Sequence, residues 1–180
     1  MPTIHDSRFN IHDCREEGAM TRSVTRILVP TDFSEPSDAA LEYAATLAGR
    51  LGASLHLLHV FEDPYLSGGA FAAEMYAPVP EDLREALLTE AKRELEDRLA
   101  KLEARHVEAS ADVYTGPTAR AIADYARTHE LDLIVMGTHG RGGMAHLLLG
   151  SVAERVVRTA PCPVLTVRAA TVSQPETVAA

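Results

Sequence analysis

The residues with the clearest chemical potential form one stretch, Gly137-Thr-His-Gly140-Arg-Gly-Gly-Met-Ala-His-Leu-Leu-Leu-Gly150-Ser151, punctuated by five glycines. Glycine lets backbone amides approach an anion with no Cβ in the way and tolerates positive φ. A helix is expected from about Ser151 to Thr159, and its unpaired first-turn amides and dipole would face the same space. A phosphate-binding loop is the natural consequence. Arg141 is the only basic side chain between Gly137 and Gly150 and could neutralise phosphate charge, although a solvated loop arginine is an equal reading. Ser151 and Glu154 also fit a Ser-x-x-Glu capping box. The two roles are compatible, because a serine that accepts from its own helix can still donate its hydroxyl proton to a phosphate oxygen.

Other phosphate motifs fail. No Gly-Lys-Ser/Thr is present, and the two lysines, Lys92 and Lys101, both lie in a charged helical stretch, so a lysine-dependent site is excluded. The partial match Gly140-x-Gly142-x-x-Ala145 follows a late strand rather than opening the first βαβ unit, which argues against a dinucleotide fingerprint. A second candidate is Asp32, a carboxylate at the end of a buried strand, where it is costly without a partner. It could also recruit Mg²⁺ and so polarise a phosphate. His59 alternates with the apolar residues of a strand and reads as a hydrogen-bonded interior residue. His139 and His146 read as loop residues near the pocket. The repeat Ile-His-Asp at residues 4 to 6 and 11 to 13, followed by Cys14, offers imidazoles, carboxylates and a thiol to a metal, but chance accounts for it more simply.

The elements that must position these groups begin at Arg26, where short apolar runs alternate with helical periods, the pattern of βα units. Ile27-Leu28-Val29 ends at Pro30-Thr31-Asp32. Ser34 offers a cap and Pro36 sits in the first turn of a helix whose apolar face is Ala40, Ala44, Leu47, Ala48 and Leu51, closed by Gly52. Leu55 to Val60 is a second strand, followed by a long connection with Pro64, Gly68, Gly69, Pro78 and Pro80, a candidate lid or crossover. Glu81 to about Arg105 is a charged helix, with Leu83, Leu87, Leu95, Leu99 and Leu102 as its sheet-facing stripe. Residues 107 to 114 alternate Val107, Ala109, Ala111 and Val113 against Glu108, Ser110, Asp112 and Tyr114, as a half-buried edge strand does. Gly116-Pro117 opens a helix with Ala119, Ile122, Ala123 and Ala126 inward. Leu131 to Met136 is a fourth strand, apolar apart from Asp132, and Val164 to Val167 a fifth.

Five strands alternating with four helices predict an α/β fold: an open, doubly wound, five-stranded parallel sheet with helices on both faces. Strands one, two and four read as buried on both faces and strands three and five as nearer the edges, which the order 3-2-1-4-5 satisfies. In that order the switch point lies between strands one and four, so the Asp32 loop and the Gly137 loop meet at neighbouring carboxyl ends.

The spacing Gly137-x2-Gly140-x9-Gly150-Ser151, together with Ile-Leu-Val-Pro-Thr-Asp-Phe-Ser at residues 27 to 34, resembles the universal stress protein family. The likeness spans about residues 25 to 168 and includes Leu58-His59-Val60, the Gly116-Pro117 turn and the ending Pro161 to Arg168. The complete glycine pattern is similar to that of the family's ATP-binding branch. The resemblance implies that Asp32 meets the ribose, with Thr31 beside it, and that Pro30 and the backbone around Val60 flank the adenine. By the same likeness Met136 lines the base pocket, Gly137, His139, Gly140, Arg141, Gly142 and Gly143 wrap the phosphates, and Gly150, Ser151 and Val152 hold their far end. ATP or AMP is the implied ligand; Mg²⁺ is a candidate companion only through the carboxylate chemistry of Asp32 given above.

The formal net charge is −9, from 17 basic and 26 acidic residues, so the surface as a whole repels nucleic acid. No apolar run approaches the ~18 residues of a membrane span, and the polar start lacks signal-peptide character. Cys14 and Cys162 give neither a disulfide framework nor metal spacing. A cytoplasmic protein is expected, with residues 1 to 24 a disordered tail and 169 to 180 a flexible one. Residues 1 to 19 are expected to be dispensable, with Met20 the start of translation. The leading function is nucleotide-dependent regulation in a stress response. The alternatives are a slow Mg-dependent ATPase or nucleotidyl-transfer enzyme and, against the single-domain length, a flavin-binding electron-transfer subunit. The uncharged edge Val164 to Val167 predicts a homodimer, paired antiparallel about a two-fold axis.

Overall fold

In the computed structural model of the chain, the described residues are 23–63, 77–138 and 149–168. They form β1 (Arg26–Thr31), α1 (Glu35–Leu51), β2 (Ser54–Phe61), α2 (Glu81–Glu103), β3 (Ala109–Thr115), α3 (Thr118–Thr128), β4 (Leu133–Gly137), α4 (Ser151–Thr159) and β5 (Val164–Val167). All five strands pair in parallel in the order β3-β2-β1-β4-β5, as the apolar pattern predicts. The tail motif at residues 4 to 14, the glycines of the long connection and the segment after Arg168 lie outside the described residues. Among the described residues no helix is long and apolar enough to cross a membrane.

The pleat sends alternate residues of each central strand to opposite sides. Ile27, Val29, Leu55, Leu57 and Val135 pack with α1 and α2, while Leu28, Leu58, Ile134 and Met136 pack with α3 and α4. Helix α1 starts as its sequence prescribes. Ser34 is the N-cap and accepts from the Ser37 amide, a proline follows in the first turn, and Gly52 ends the helix at φ 66°, where a Cβ would be strained. Its inward face is Ala40, Leu41, Ala44, Ala45 and Ala48, whereas Leu51 is 49% exposed.

Three expectations shift. The α2 stripe is only partly sheet-facing: Leu95 and Leu102 are buried and Leu99 half-buried, but Leu83 and Leu87 are exposed, because the inward face begins at Ala91. The inward stripe is Ala91, Leu95, Arg98 and Leu102, so an arginine occupies a core-side turn. Strand β4 begins at Leu133, two residues later than the apolar run suggests, because the Leu131 amide turns back to the Ala126 carbonyl of α3 and the pairing with β1 starts at Ile27 and Leu133. Strand β3 runs from Ala109 to Thr115 rather than over residues 107 to 114, while keeping the predicted alternation at the edge.

Asp132, the exception in that apolar run, joins two strand entrances. Its Oδ2 accepts from the Thr25 amide (3.0 Å), the Thr25 hydroxyl (2.9 Å) and the Arg26 amide (3.0 Å). Burial pushes its pKa up, but these donors outweigh that and hold it below the usual aspartate value. A carboxyl whose folded pKa is depressed contributes stability above its unfolded pKa, and that contribution is lost as pH falls through the folded value. Asp132→Asn should therefore cost about 1 kcal/mol at neutral pH. The difference from wild type should vanish below the ordinary carboxylate range. Urea unfolding of both proteins at pH 7 and near pH 3 checks this, and a pH-independent difference would exclude the carboxylate as its cause.

Candidate functional site

The site is built where β1, β2 and β4 end together. Thr31 pairs with His59, and Leu28 pairs with Ile134, so Thr31 and Gly137, three residues further along each strand, finish at one edge of the sheet. Pro30, Thr31 and Asp32 leave β1 there, Val60 sits near the end of β2, and Met136 and Gly137 close β4. Val60, Met136 and Val152 lie on the side covered by α3 and α4, and Pro30 joins them by alternation with Leu28. Met136 is buried among these apolar groups.

After β4 the Thr138 amide donates to the Val167 carbonyl (2.9 Å), and the Gly150 amide donates to the Thr138 carbonyl (2.7 Å). The crossover therefore leaves and returns at the same place, which brings the start of α4 to the carboxyl end of β4. Helix α4 begins at Ser151, with Gly150 at the N-cap position and no side-chain cap bond. The capping-box role expected for Ser151 is thus not taken up, because Ser151 is the first helical residue and its side chain lies past the cap position. The Glu154 amide reaches the Gly150 carbonyl (2.9 Å), while its carboxylate faces Arg158 at 3.7 Å. The amides of Ser151, Val152 and Ala153 precede the first intrahelical bond and point out of the helix. The start of α3 contrasts with this. There Glu62 accepts from both the amide and the hydroxyl of Thr118, filling the helix end with a carboxylate of the chain itself. His139, Gly140, Arg141, Gly142 and Gly143 lie outside the described residues.

The Asp32 loop is tightly organised. Asp32 is half-buried, and its Oδ1 accepts from the Ser34 amide (3.2 Å) and the Ser34 hydroxyl (2.5 Å), which meets the cost of placing a carboxylate there. The Ser37 hydroxyl donates to the Ser34 carbonyl (2.8 Å), so across the 3.1 Å contact between Thr31 and Ser37 it is Thr31 that donates. Thr31 Oγ1 in turn accepts from the Phe33 amide (3.0 Å). Phe33 stands at φ 63°, a left-handed conformation unusual for an aromatic residue. His59 is half-buried rather than interior, but hydrogen-bonded as expected: its Nδ1 lies 2.9 Å from the Thr31 carbonyl, which can only accept, so Nδ1 carries the proton. Its ring stacks on Phe33 with centroids 4.4 Å apart.

Sequence reasoning missed Arg98, whose guanidinium lies 4.9 Å from the Phe33 ring centroid. Arg98 is 8% exposed and bonds Asp38 through Nε (2.9 Å) and Nη2 (3.1 Å), and Glu94 through Nη1 (2.7 Å). Burial works against its charge, but Glu94 and Asp38 outweigh that and keep its pKa above the ordinary arginine value. The signal available in the sequence was its place in the i, i+4, i+7 stripe of α2. Among the described residues no group of three or more His, Cys, Asp or Glu side chains is assembled for a metal.

Among the described residues, a half-buried acceptor, an apolar wall and a helix start with no side-chain cap bond can together hold a ligand with hydroxyls, a flat apolar ring and an anionic end. A model of the universal stress protein family matches residues 23–168. Universal stress protein YxiE of Bacillus subtilis is 33% identical over 147 residues, covering 79% of this chain and 98% of its own. Universal stress protein MJ0577 of Methanocaldococcus jannaschii is 30% identical over 152 residues, covering 79% and 94%. The solved structure of UspA from Lactobacillus plantarum superposes with a TM-score of 0.69 at 31% identity, covering 81% of this chain and 98% of that one. The structure of MJ0577 gives 0.67 at 30%, covering 81% and 96%. At 22% and 21% identity, with TM-scores of 0.56 and 0.58, two further structures share the fold. They are a universal stress protein in complex with cAMP and one from Archaeoglobus fulgidus in complex with dAMP.

Proposed function

The chain belongs to the universal stress protein family, and from that premise we propose that residues 25 to 168 form an adenine-nucleotide-binding regulatory domain whose ligand is ATP or AMP. The observation that carries this reading is that β1 and β4, neighbours at the switch point of the sheet, bring to one end of it the Asp32 loop and, through the bond between Gly150 and Thr138, the start of α4. Asp32 would accept from a ribose hydroxyl, and Pro30, Val60 and Met136 would border the base. Gly137, the 139 to 143 loop, Gly150, Ser151 and Val152 would cradle the phosphates with backbone amides. Relatives solved with cAMP and dAMP support a nucleotide of this class. A Mg²⁺ accompanying the phosphates would draw most of its ligands from phosphate oxygens and water, with Asp32 the candidate protein ligand. Nucleotide occupancy would change the conformation or partners of the protein in a stress response.

Mass spectrometry of the nucleotide released on denaturing freshly purified protein tests the reading. ATP or AMP is expected; a flavin, or no nucleotide together with no ATP binding by calorimetry, rejects it.

The same family reading extends to assembly. Among the described residues strand β5 is an edge of the sheet, and its four residues Val164–Val167 carry no charge. An open apolar edge invites pairing with another strand, and two copies about a two-fold axis would close it. Light scattering should give twice the chain mass at micromolar concentration, and Leu165→Pro should halve it. A monomeric wild type removes the proposal.

A further inference from the structure

The loop that carries Asp32 is in contact with a helix far along the chain. Phe33 adopts a left-handed φ of 63° between Asp32 and Ser34, and both neighbours depend on that turn: the Asp32 carboxylate reaches back to the Ser34 amide and hydroxyl only because the chain reverses at Phe33. A non-glycine residue keeps such a conformation only when its surroundings over-determine it. Two groups do so here besides the Phe33 amide's bond to Thr31. The His59 ring stacks on Phe33 from β2, and the Arg98 guanidinium packs on it from α2. His59 is tied to the Thr31 carbonyl. Arg98 is fixed from both ends, by Glu94 on its own helix and by Asp38 in the first turn of α1, whose amide bonds the Ser34 carbonyl (2.9 Å).

We propose that Arg98 is a positioning residue of the nucleotide site: clamped by Asp38 and Glu94 and packed on Phe33, its guanidinium holds the left-handed turn and thereby fixes where the Asp32 carboxylate stands. An arginine suits this task and a lysine does not, because the planar fork bonds two carboxylates while its face lies against a ring. The consequence is that α2, which follows the long connection after β2, is mechanically joined to the ribose end of the site. The part of the inference that concerns nucleotide rests on the reading of Asp32 given above. The part that concerns the loop does not.

The experiment has two arms on the full-length protein. Without ligand, amide hydrogen exchange by NMR compares wild type with Arg98→Gln and with Phe33→Ala, which removes the ring but leaves the clamp. Exchange at Phe33 and Ser34 should be about tenfold faster in either variant, while Leu57 and Ile134 keep wild-type protection. Unchanged exchange at Phe33 and Ser34, or equal acceleration throughout the sheet, overturns the positioning role. With adenosine, calorimetry should show a loss of about fivefold to tenfold for Arg98→Gln in the wild-type background and no further loss in an Asp32→Ala background. Equal losses in both backgrounds overturn action through Asp32. If wild type binds no nucleotide, the nucleotide reading fails, and the exchange arm still decides the role of Arg98.

Discussion

Replacing Gly150 with valine is expected to abolish ATP binding while leaving the protein folded. The backbone at Gly150 is extended, with φ −74° and ψ 159°, a conformation any residue adopts, so valine introduces no backbone strain. Its amide and carbonyl are engaged with Thr138 and Glu154, and those bonds do not involve the side-chain position. What valine removes is room, because a branched side chain would stand where phosphate must approach the amides of α4. The affinity should fall by more than roughly a hundredfold, or about 2.7 kcal/mol, whereas adenosine should be less affected. The same argument from sequence covers Gly140→Val. Ser151→Ala is the graded control: it should cost about 1 to 2 kcal/mol of ATP affinity for one hydrogen bond to a charged group. It should leave thermal stability unchanged, since Ser151 is not the cap. Calorimetry on the three variants decides the matter. If both glycine variants bind ATP as wild type does, the loop is only a turn.

The second large effect is expected at Asp32. Asp32→Ala should weaken ATP, AMP and adenosine alike, by about 1.5 to 3 kcal/mol, or roughly ten- to a hundredfold, because a ribose contact is common to all three. The carboxylate also holds the Ser34 amide and hydroxyl, so alanine loosens the start of α1 as well. Asp32→Asn separates the two effects. Its amide oxygen can still accept from Ser34, and the smaller loss expected for it measures what charge adds at the ribose. A pattern in which Asp32→Ala weakens ATP but leaves adenosine untouched would assign the carboxylate to a metal on the phosphates and reject the ribose contact.

The fold was legible because each element carries its own period. The apolar run of β1, the Ser34 cap, the Gly52 stop and the alternation of β3 are local signals, and the structure keeps them. Periodicity failed where it could not say how far the sheet extends. Leu83 and Leu87 recur at the right spacing in α2, yet the turns that carry them precede the first buried position, Ala91. It failed again at Leu131, which is buried without being part of the strand it precedes. At the site, the meeting of the Asp32 loop with the Gly137 end followed from strand order alone. The clamp on Phe33 did not, since Arg98 and Asp38 lie 60 residues apart and nothing local links them. Nor could spacing tell the cap position from the first helical residue at Gly150 and Ser151: the first helical bond runs from the Glu154 amide to the Gly150 carbonyl, while the extended Gly150 gives its own amide to the Thr138 carbonyl.

That hydrogen bond has an evolutionary consequence. With the segment from residue 139 to 149 entering and leaving through one closed gate, its length and composition can drift without moving the strand before it or the helix after it. For a flexible loop, each doubling of length costs only about 0.6 kcal/mol in closure entropy. The crossover is in this sense an exchangeable cassette. If that segment holds phosphate as proposed, a lineage could lose or retune its ligand by rewriting the cassette alone while the scaffold persisted.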